Sequence, residues 1–272
     1  MPLRIMAVCN CTPDSFYPQS RYFTECELSK FCEDAVRAGV SIIDIGGESS
    51  RPGADSVSAD EEWRRVEKVI HWFNMHVPDI SLSIDTVKTE VARKALDTGV
   101  SIINDISAGK SSGEKMFRLC KEYNSEIILM HMKGIPKTMQ IEPDYTDVVS
   151  EIHDFFKEIY CKISSYGIPK SKIILDPGIG FGKNADHNIT IIKNLQKFKD
   201  LECPLLIGAS MKRIIGDITH ADVNDRLAGT IGIHLAAIQN GADIVRVHNP
   251  LAMRHAFECF QQCMVYNTDI VK

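Results

Sequence analysis

The sequence predicts an α/β protein of the (β/α)8 barrel class (a TIM barrel), forming one domain over residues 1–272. Two observations point there. Eight times along the chain a short run of Ile, Val and Leu stops at a polar side chain. Helix-like sequence then follows each stop. Continuous apolar runs, as opposed to alternating ones, mark parallel strands covered on both faces. Strict strand–helix alternation builds a parallel sheet. Eight units favour closure into a barrel over an open doubly wound sheet, and a barrel assembles its site at the C-terminal ends of its strands.

The runs cover residues 4–8, 41–43, 80–84, 100–103, 126–130, 172–175, 204–209 and 242–245. They end, in order, at Asn10, at Asp44, at Asp85, at Asn104 and Asp105, at His131, at Asp176, at Ser210 with Lys212, and at Arg246 with His248. Helical stretches are expected at 26–38, 59–76, 87–98, 145–166 and 224–240. The first, third, fourth and fifth are each followed by a glycine suited to a C′ position. The second carries Trp63, Val66, Val69, Ile70 and Phe73 on one stripe. The longest irregular segments, 11–24, 46–58, 132–144 and 177–187, all follow strands and therefore belong to the site-bearing face.

Composition sets limits on partners. Apolar residues make up 44% and charged residues 25%, an ordinary globular balance, and the net charge of −5 does not favour nucleic acid or an anionic membrane. The nine cysteines are odd in number and scattered, which suits reduced, buried thiols in the cytoplasm. Cys9-x-Cys11 and Cys259-x-x-x-Cys263 lack a second ligand pair at zinc spacing. No apolar run is long enough to span a bilayer, and the first eight residues do not read as a secretory signal.

Two constellations carry chemistry. Asp85, Asn104 and Asp176 end three different strands and converge on one mouth, where carboxylates and an amide suit a flat heterocycle presenting parallel N–H donors. Lys212 would serve a carbonyl or ring nitrogen of the same ring. Taken singly, each carboxylate is better explained by an ion pair or a helix cap; taken together, at equivalent strand ends, they are not. Arg246 and His248 share one side of their strand, and Arg can stack on an aromatic ring or fork to phosphate oxygens. Asn10, Ser50 and Arg51 could add to such an anion site. The glycine-rich run from Asp176 to Lys183 fails as a nucleotide loop, because Pro177 and Asn184 stand where that motif needs Gly and Ser or Thr. Asp44, His131 and His187 take a structural reading.

In this order, these residues resemble dihydropteroate synthases. The resemblance rests on Asn10-Cys11-Thr12-Pro13-Asp14-Ser15-Phe16, Gly46-Gly47-Glu48-Ser49-Ser50-Arg51-Pro52-Gly53, Ser83-Ile84-Asp85-Thr86, Ile103-Asn104-Asp105-Ile106, Met130-His131-Met132, Pro136-Lys137-Thr138-Met139-Gln140, the Asp176 to Lys183 run and Arg246-Val247-His248. It implies a (β/α)8 transferase of folate biosynthesis that joins 6-hydroxymethyl-7,8-dihydropterin pyrophosphate to p-aminobenzoate and releases pyrophosphate. Asn10, Lys212, Arg246 and His248 are implied to carry the reaction. Asp85, Asn104, Asp176, Lys212 and Arg246 are implied to hold the pterin, and Asn10, Ser50, Arg246 and His248 the pyrophosphate. Arg51, Pro52, Phe181 and Ser210 are implied to wall p-aminobenzoate, with Mg2+ near Asn10. The resemblance further implies a homodimer, sulfonamide binding, and closure of the first loops, Phe16 included, over the site.

The chain departs from the family at three places. Met211 stands where the family has Arg, Tyr17-Pro18-Gln19-Ser20 replaces a Ser-Asp-Gly-Gly stretch, and Asn249-Pro250 replaces Asp-Val. Met cannot supply the donors of Arg, and Pro18 stiffens its loop. Two alternatives stay open on sequence: a pterin-binding barrel without synthase activity or with an altered second substrate, and a methyltetrahydrofolate-binding barrel, against which the anion pair Arg246 and His248 speaks.

Overall fold

The structure is a computed structural model and describes residues 3–12, 24–49, 54–134, 139 and 143–264. Eight strands form one parallel sheet: β1 (Arg4–Asn10), β2 (Ile42–Gly46), β3 (Ser81–Asp85), β4 (Ile102–Asp105), β5 (Glu126–Met130), β6 (Ile173–Asp176), β7 (Leu206–Ile207) and β8 (Ile244–Val247). Successive strands pair in parallel from β1 to β6, β8 pairs both β1 and β7, and a parallel Leu175–Leu205 bridge closes the ring between β6 and β7. The barrel expected from the sequence is the barrel observed.

β7 is short for a physical reason. Pro204 has no N–H to offer a ladder. The chain compensates: Leu175 N donates to Pro204 O at 2.9 Å, and Leu205 N donates to Asp243 Oδ2 at 2.8 Å, a carboxylate also held by Lys199 Nζ at 2.6 Å.

The helices are α1 (Glu25–Arg37), α2 (Ala59–His76), α3 (Thr89–Asp97), α4 (Glu114–Tyr123), α5 (Val148–Ser164), α6 (Ala185–Lys193), α7 (Arg213–Thr219), α8 (Leu227–Gln239) and α9 (Pro250–Met264). Local signals start several of them. Thr24 and Glu27 form a capping box on α1, Ser58 caps α2 ahead of Asp60, Glu61 and Glu62, and Asp147 caps α5. The glycines expected at helix ends, Gly39, Gly99, Gly167 and Gly241, all have positive φ. α4, α6, α7 and α9 are additions to the elements read from sequence. Among the described residues, no helix is long and apolar enough to cross a membrane.

Two apolar layers result. The large one lies between strands and helices and holds Ile5, Ile43, Ile84, Phe73, Phe117, Phe156 and Phe198, all fully buried or nearly so. The small one fills the barrel's interior with Met6, Ile42, Ile102, Ile128, Ile174, Leu206 and Ile244. Side chains alternate along a strand, so the residue two positions on faces the same way. Two residues above this apolar floor stand Val8, Asp44, Asn104, Met130, Asp176, Gly208 and Arg246. A polar layer therefore rests directly on the core, and two residues beyond it lie Asn10, Gly46, Ser210 and His248 at the rim.

Candidate active site at the barrel mouth

The polar layer is a connected charge network. Asp44, fully buried, accepts from Ser83 Oγ at 2.7 Å, Asn104 Nδ2 at 3.0 Å and Arg246 Nε at 2.6 Å. Arg246 Nη2 reaches Asp85 Oδ2 at 2.9 Å. One guanidinium thus joins carboxylates from β2 and β3, and Asp44 joins β2 to β3, β4 and β8. Burial alone would disfavour the charge on Arg246, but Asp44 and Asp85 more than offset it and hold its pKa above the ordinary value. Burial, and then the neighbouring Asp44, push Asp85 up to about 7.

On the opposite wall, Asp176 Oδ1 accepts from Gly178 N at 2.7 Å. Burial raises its pKa although Lys212 opposes the shift. Lys212 Nζ donates to Ile179 O at 2.6 Å and lies 4.5 Å from the centroid of the Phe181 ring. Burial lowers this lysine to about 8, against the pull of Asp176. Among the described residues, Asn104 Oδ1, Asp85 Oδ1 and Asp176 Oδ2 have no hydrogen-bond partner, and none of them is sealed from solvent. Three acceptors from β4, β3 and β6 therefore open on one mouth beside two cations.

The rim carries the rest. Asn10 ends β1, and its Oδ1 and Asp85 Oδ2 both lie 3.8 Å from the point a Cβ on Gly46 would occupy. Ser210 Oγ lies 3.0 Å from His248 Nδ1 and accepts from His248 N at 3.2 Å, so two residues assigned to different subsites are direct partners. Phe181 is buried against Met130 and Met139. Ser50, Arg51, Pro52, Phe16 and the 17–20 stretch lie outside the described residues. A cavity of about 640 Å³ opens from Asp85 outward between Glu48, Lys88, Ile106, Ser107 and Met132.

Several residues separate from the site as the sequence suggests. His131 is buried, and burial together with Lys183 lowers it to about 2, so it is neutral. His187 Nδ1 completes the capping box of α6 with Asn184. Lys183 is not free to meet a phosphate: its Nζ donates to Gly178 O at 3.0 Å, Phe181 O at 2.9 Å and His131 O at 3.3 Å, and burial lowers it to about 7. It fastens the glycine-rich loop from within. Nor is Asp85 a helix cap, since its carboxylate belongs to Arg246. Asp44 and Ser83 were missed as site residues. The spacing Ile42-x-Asp44-x-Gly46, read with period two, was the signal that places Asp44 inside the barrel.

With this geometry in place, comparison with known proteins is decisive. Residues 6–248 match the model of the pterin binding enzyme family. A dihydropteroate synthase of Synechocystis sp. is 42% identical over 250 residues, covering 92% of this chain and 86% of that protein. The chain belongs to the dihydropteroate synthase family. Among solved structures, the Yersinia pestis dihydropteroate synthase in a sulfonamide drug complex superposes with a TM-score of 0.90 at 34% identity, covering 97% of this chain and 95% of that one. The Xanthomonas albilineans enzyme in complex with 7,8-dihydropteroate gives 0.85 at 33% identity, covering 97% and 94%.

The loop after β6 offers a test of the mouth's construction. A Cβ on Gly178 would sit 2.1 Å from His131 O at a φ of +70°, whereas one on Gly113, at +60°, would meet nothing within 4 Å. Both alanine variants incur a positive-φ cost of about 1–3 kcal/mol, Gly113 because its φ of +60° and ψ of −144° form a conformation that only glycine adopts readily. Gly178→Ala alone adds the collision, so its melting temperature should fall well below that of Gly113→Ala. Equal melting temperatures would show that the loop yields freely.

Proposed function

We propose that this chain joins 6-hydroxymethyl-7,8-dihydropterin pyrophosphate to p-aminobenzoate, giving 7,8-dihydropteroate and pyrophosphate, as a folate-pathway enzyme of the cytoplasm. The observation that carries the reading is the set of three open acceptors, Asn104 Oδ1, Asp85 Oδ1 and Asp176 Oδ2, facing Arg246 and Lys212 across one buried floor. A pterin edge presents parallel N–H donors that such acceptors match. Lys212 meets the pterin carbonyl or ring nitrogen. Arg246, held edge-on by two carboxylates, keeps its guanidinium face for the pterin ring.

Arg246, His248, Asn10 and Ser50 surround the pyrophosphate in this reading. As the bond from the methylene carbon to the pyrophosphate oxygen breaks, that electron pair leaves with pyrophosphate. The pterin stabilises the cationic carbon, and Asp85 and Asp176 below it favour positive charge. The amine of p-aminobenzoate, walled by Arg51, Pro52, Phe181 and Ser210, forms the new C–N bond and gives up a proton. Such a step needs position and electrostatics, not a covalent nucleophile.

Mg2+ fits the donor set in a limited way. Among the described residues no group of three or more His, Cys, Asp or Glu could hold a metal, yet Asn10 Oδ1 lies at the rim, 3.8 Å from the point a Cβ on Gly46 would occupy, as does Asp85 Oδ2, which already accepts from Arg246. Mg2+ keeps several waters and is bound largely through substrate phosphates, so Asn10 would hold an ion that arrives on the pyrophosphate. The ion would neutralise charge on the leaving group.

A homodimer is supported by the surface from α7 to α8, where Ile218 on α7 is 48% exposed, Val223 in the turn between the helices 42% and Leu227 on α8 36%. The stripe Ile231, Leu235 and Ile238 lies half-buried on the same helix.

The direct test is a product assay with p-aminobenzoate present and absent. Dihydropteroate should form, and pyrophosphate be released, only with both substrates. Pterin binding without product would leave a pterin-binding barrel in place of the synthase. The titrations add a second test. Asp85 must be ionised to accept from the pterin, which requires a pH above about 7, and Lys212 must stay charged, which requires a pH below about 8. A plot of kcat/KM for the pterin substrate against pH should therefore be a bell with its maximum between those limbs. Asp85→Asn should remove the acidic limb along with most of the activity. An acidic limb that survives in Asp85→Asn would belong to another group.

A further inference from the structure

Lys212 follows an unusual turn. β7 supplies only Leu206–Ile207 to the ladder, and Met211, five residues after Leu206, has a φ of +61°. A non-glycine residue seldom adopts that conformation unless its surroundings impose it. Here α8 does so. Thr230 Oγ1 accepts from Met211 N at 3.0 Å, Arg226 Nη1 donates to Met211 O at 3.3 Å, and His234 Nε2 accepts from Ala209 N at 3.2 Å. Arg226, Thr230 and His234 are spaced four apart, so they form one row along the helix.

His234 is defined as well as placed. Its Nδ1 lies 2.7 Å from Thr230 O, which can only accept, so Nδ1 carries the proton and Nε2 is left as the acceptor for Ala209 N. Thr230 is 3% exposed and His234 fully buried. The groups that they and Arg226 hold in the turn after β7, Ala209 N, Met211 N and Met211 O, all lie within three residues of Lys212.

We propose that Thr230 and His234, with Arg226, are positioning residues that impose the Ser210–Lys212 turn and so aim the Lys212 ammonium into the barrel mouth. The row also explains how the chain places Lys212 with Met beside it: both sides of the Met211 peptide are held from α8. The proposal rests on the reading of Lys212 as a pterin-binding group, and the test separates the two. Lys212 itself faces Asp176 on β6, Asp85 on β3 and Arg246 on β8, so its titration reports its position.

The experiment compares Thr230→Val, which keeps the shape and loses the acceptor, with Thr230→Ser, which keeps the acceptor. His234→Leu serves as a second route to the same turn should Thr230→Val fail to fold. Steady-state kinetics with both substrates are read beside the Lys212 titration, followed by NMR after reductive ¹³C-methylation with Lys212→Met to assign the resonance. Thr230→Val should lower kcat/KM about tenfold, the effect of one lost positioning hydrogen bond, and move Lys212 up toward the ordinary lysine range. Thr230→Ser should stay within about twofold. Folded Thr230→Val or His234→Leu protein with the parent's kcat/KM and the parent's Lys212 titration would overturn the proposal. A shifted titration with unchanged turnover would uphold the positioning and remove Lys212 from the reaction.

Discussion

The contact between Asp44 and Arg246 is the constraint on which the rest of the mouth depends. Asp44 is a fully buried carboxylate, and an unpaired charge there would be very costly. Three donors converge on it, from β3, β4 and β8. The pairing has consequences for each partner. Asn104 turns its amide nitrogen down to Asp44 and so turns its oxygen up to the mouth. Arg246 is fixed at Nε, which sets the plane of its guanidinium. Asp85, buried and repelled by Asp44, has its pKa pushed up to about 7 even though it shares that guanidinium. Positions and charges are thus arranged before a substrate arrives, which is the condition for electrostatic catalysis.

The network exists because the fold stacks it on an apolar floor. Met6, Ile42, Ile102, Ile128, Ile174, Leu206 and Ile244 exclude water from below, and the period-two alternation of the strands lifts the next side chain into the mouth. Stability and function divide along each strand at a distance of two residues. The loop after β6 follows the same logic sideways, with Lys183 buried under Gly178 and Phe181 so that Asp176 and Phe181 face the site.

Much of this was legible in the sequence. Strands buried on both faces read as unbroken aliphatic runs, and their polar ends named Asn10, Asp85, Asn104, Asp176, Ser210, Lys212, Arg246 and His248. Asp44 also ends a run but takes a structural reading on sequence, because β2 continues through it to Gly46 and its partners come from strands far along the chain. α6 and α7, of nine and seven residues, are too short for a clear period, and α6 begins inside a stretch read as loop. The partners of Lys183 are mostly backbone carbonyls, which leave no trace in residue identity. The hold of α8 on Met211 is hidden for the same reason.

A double-mutant cycle on Asp44→Asn and Arg246→Gln, with dihydropterin pyrophosphate affinity measured by titration calorimetry, tests the central claim most directly. If Asp44 acts by holding Arg246, the two losses are strongly non-additive: the double variant binds about as well as Arg246→Gln alone, with a coupling above about 1 kcal/mol. Losses that simply add would mean that Asp44 and Arg246 serve the mouth independently, and that the buried pair does not organise the site.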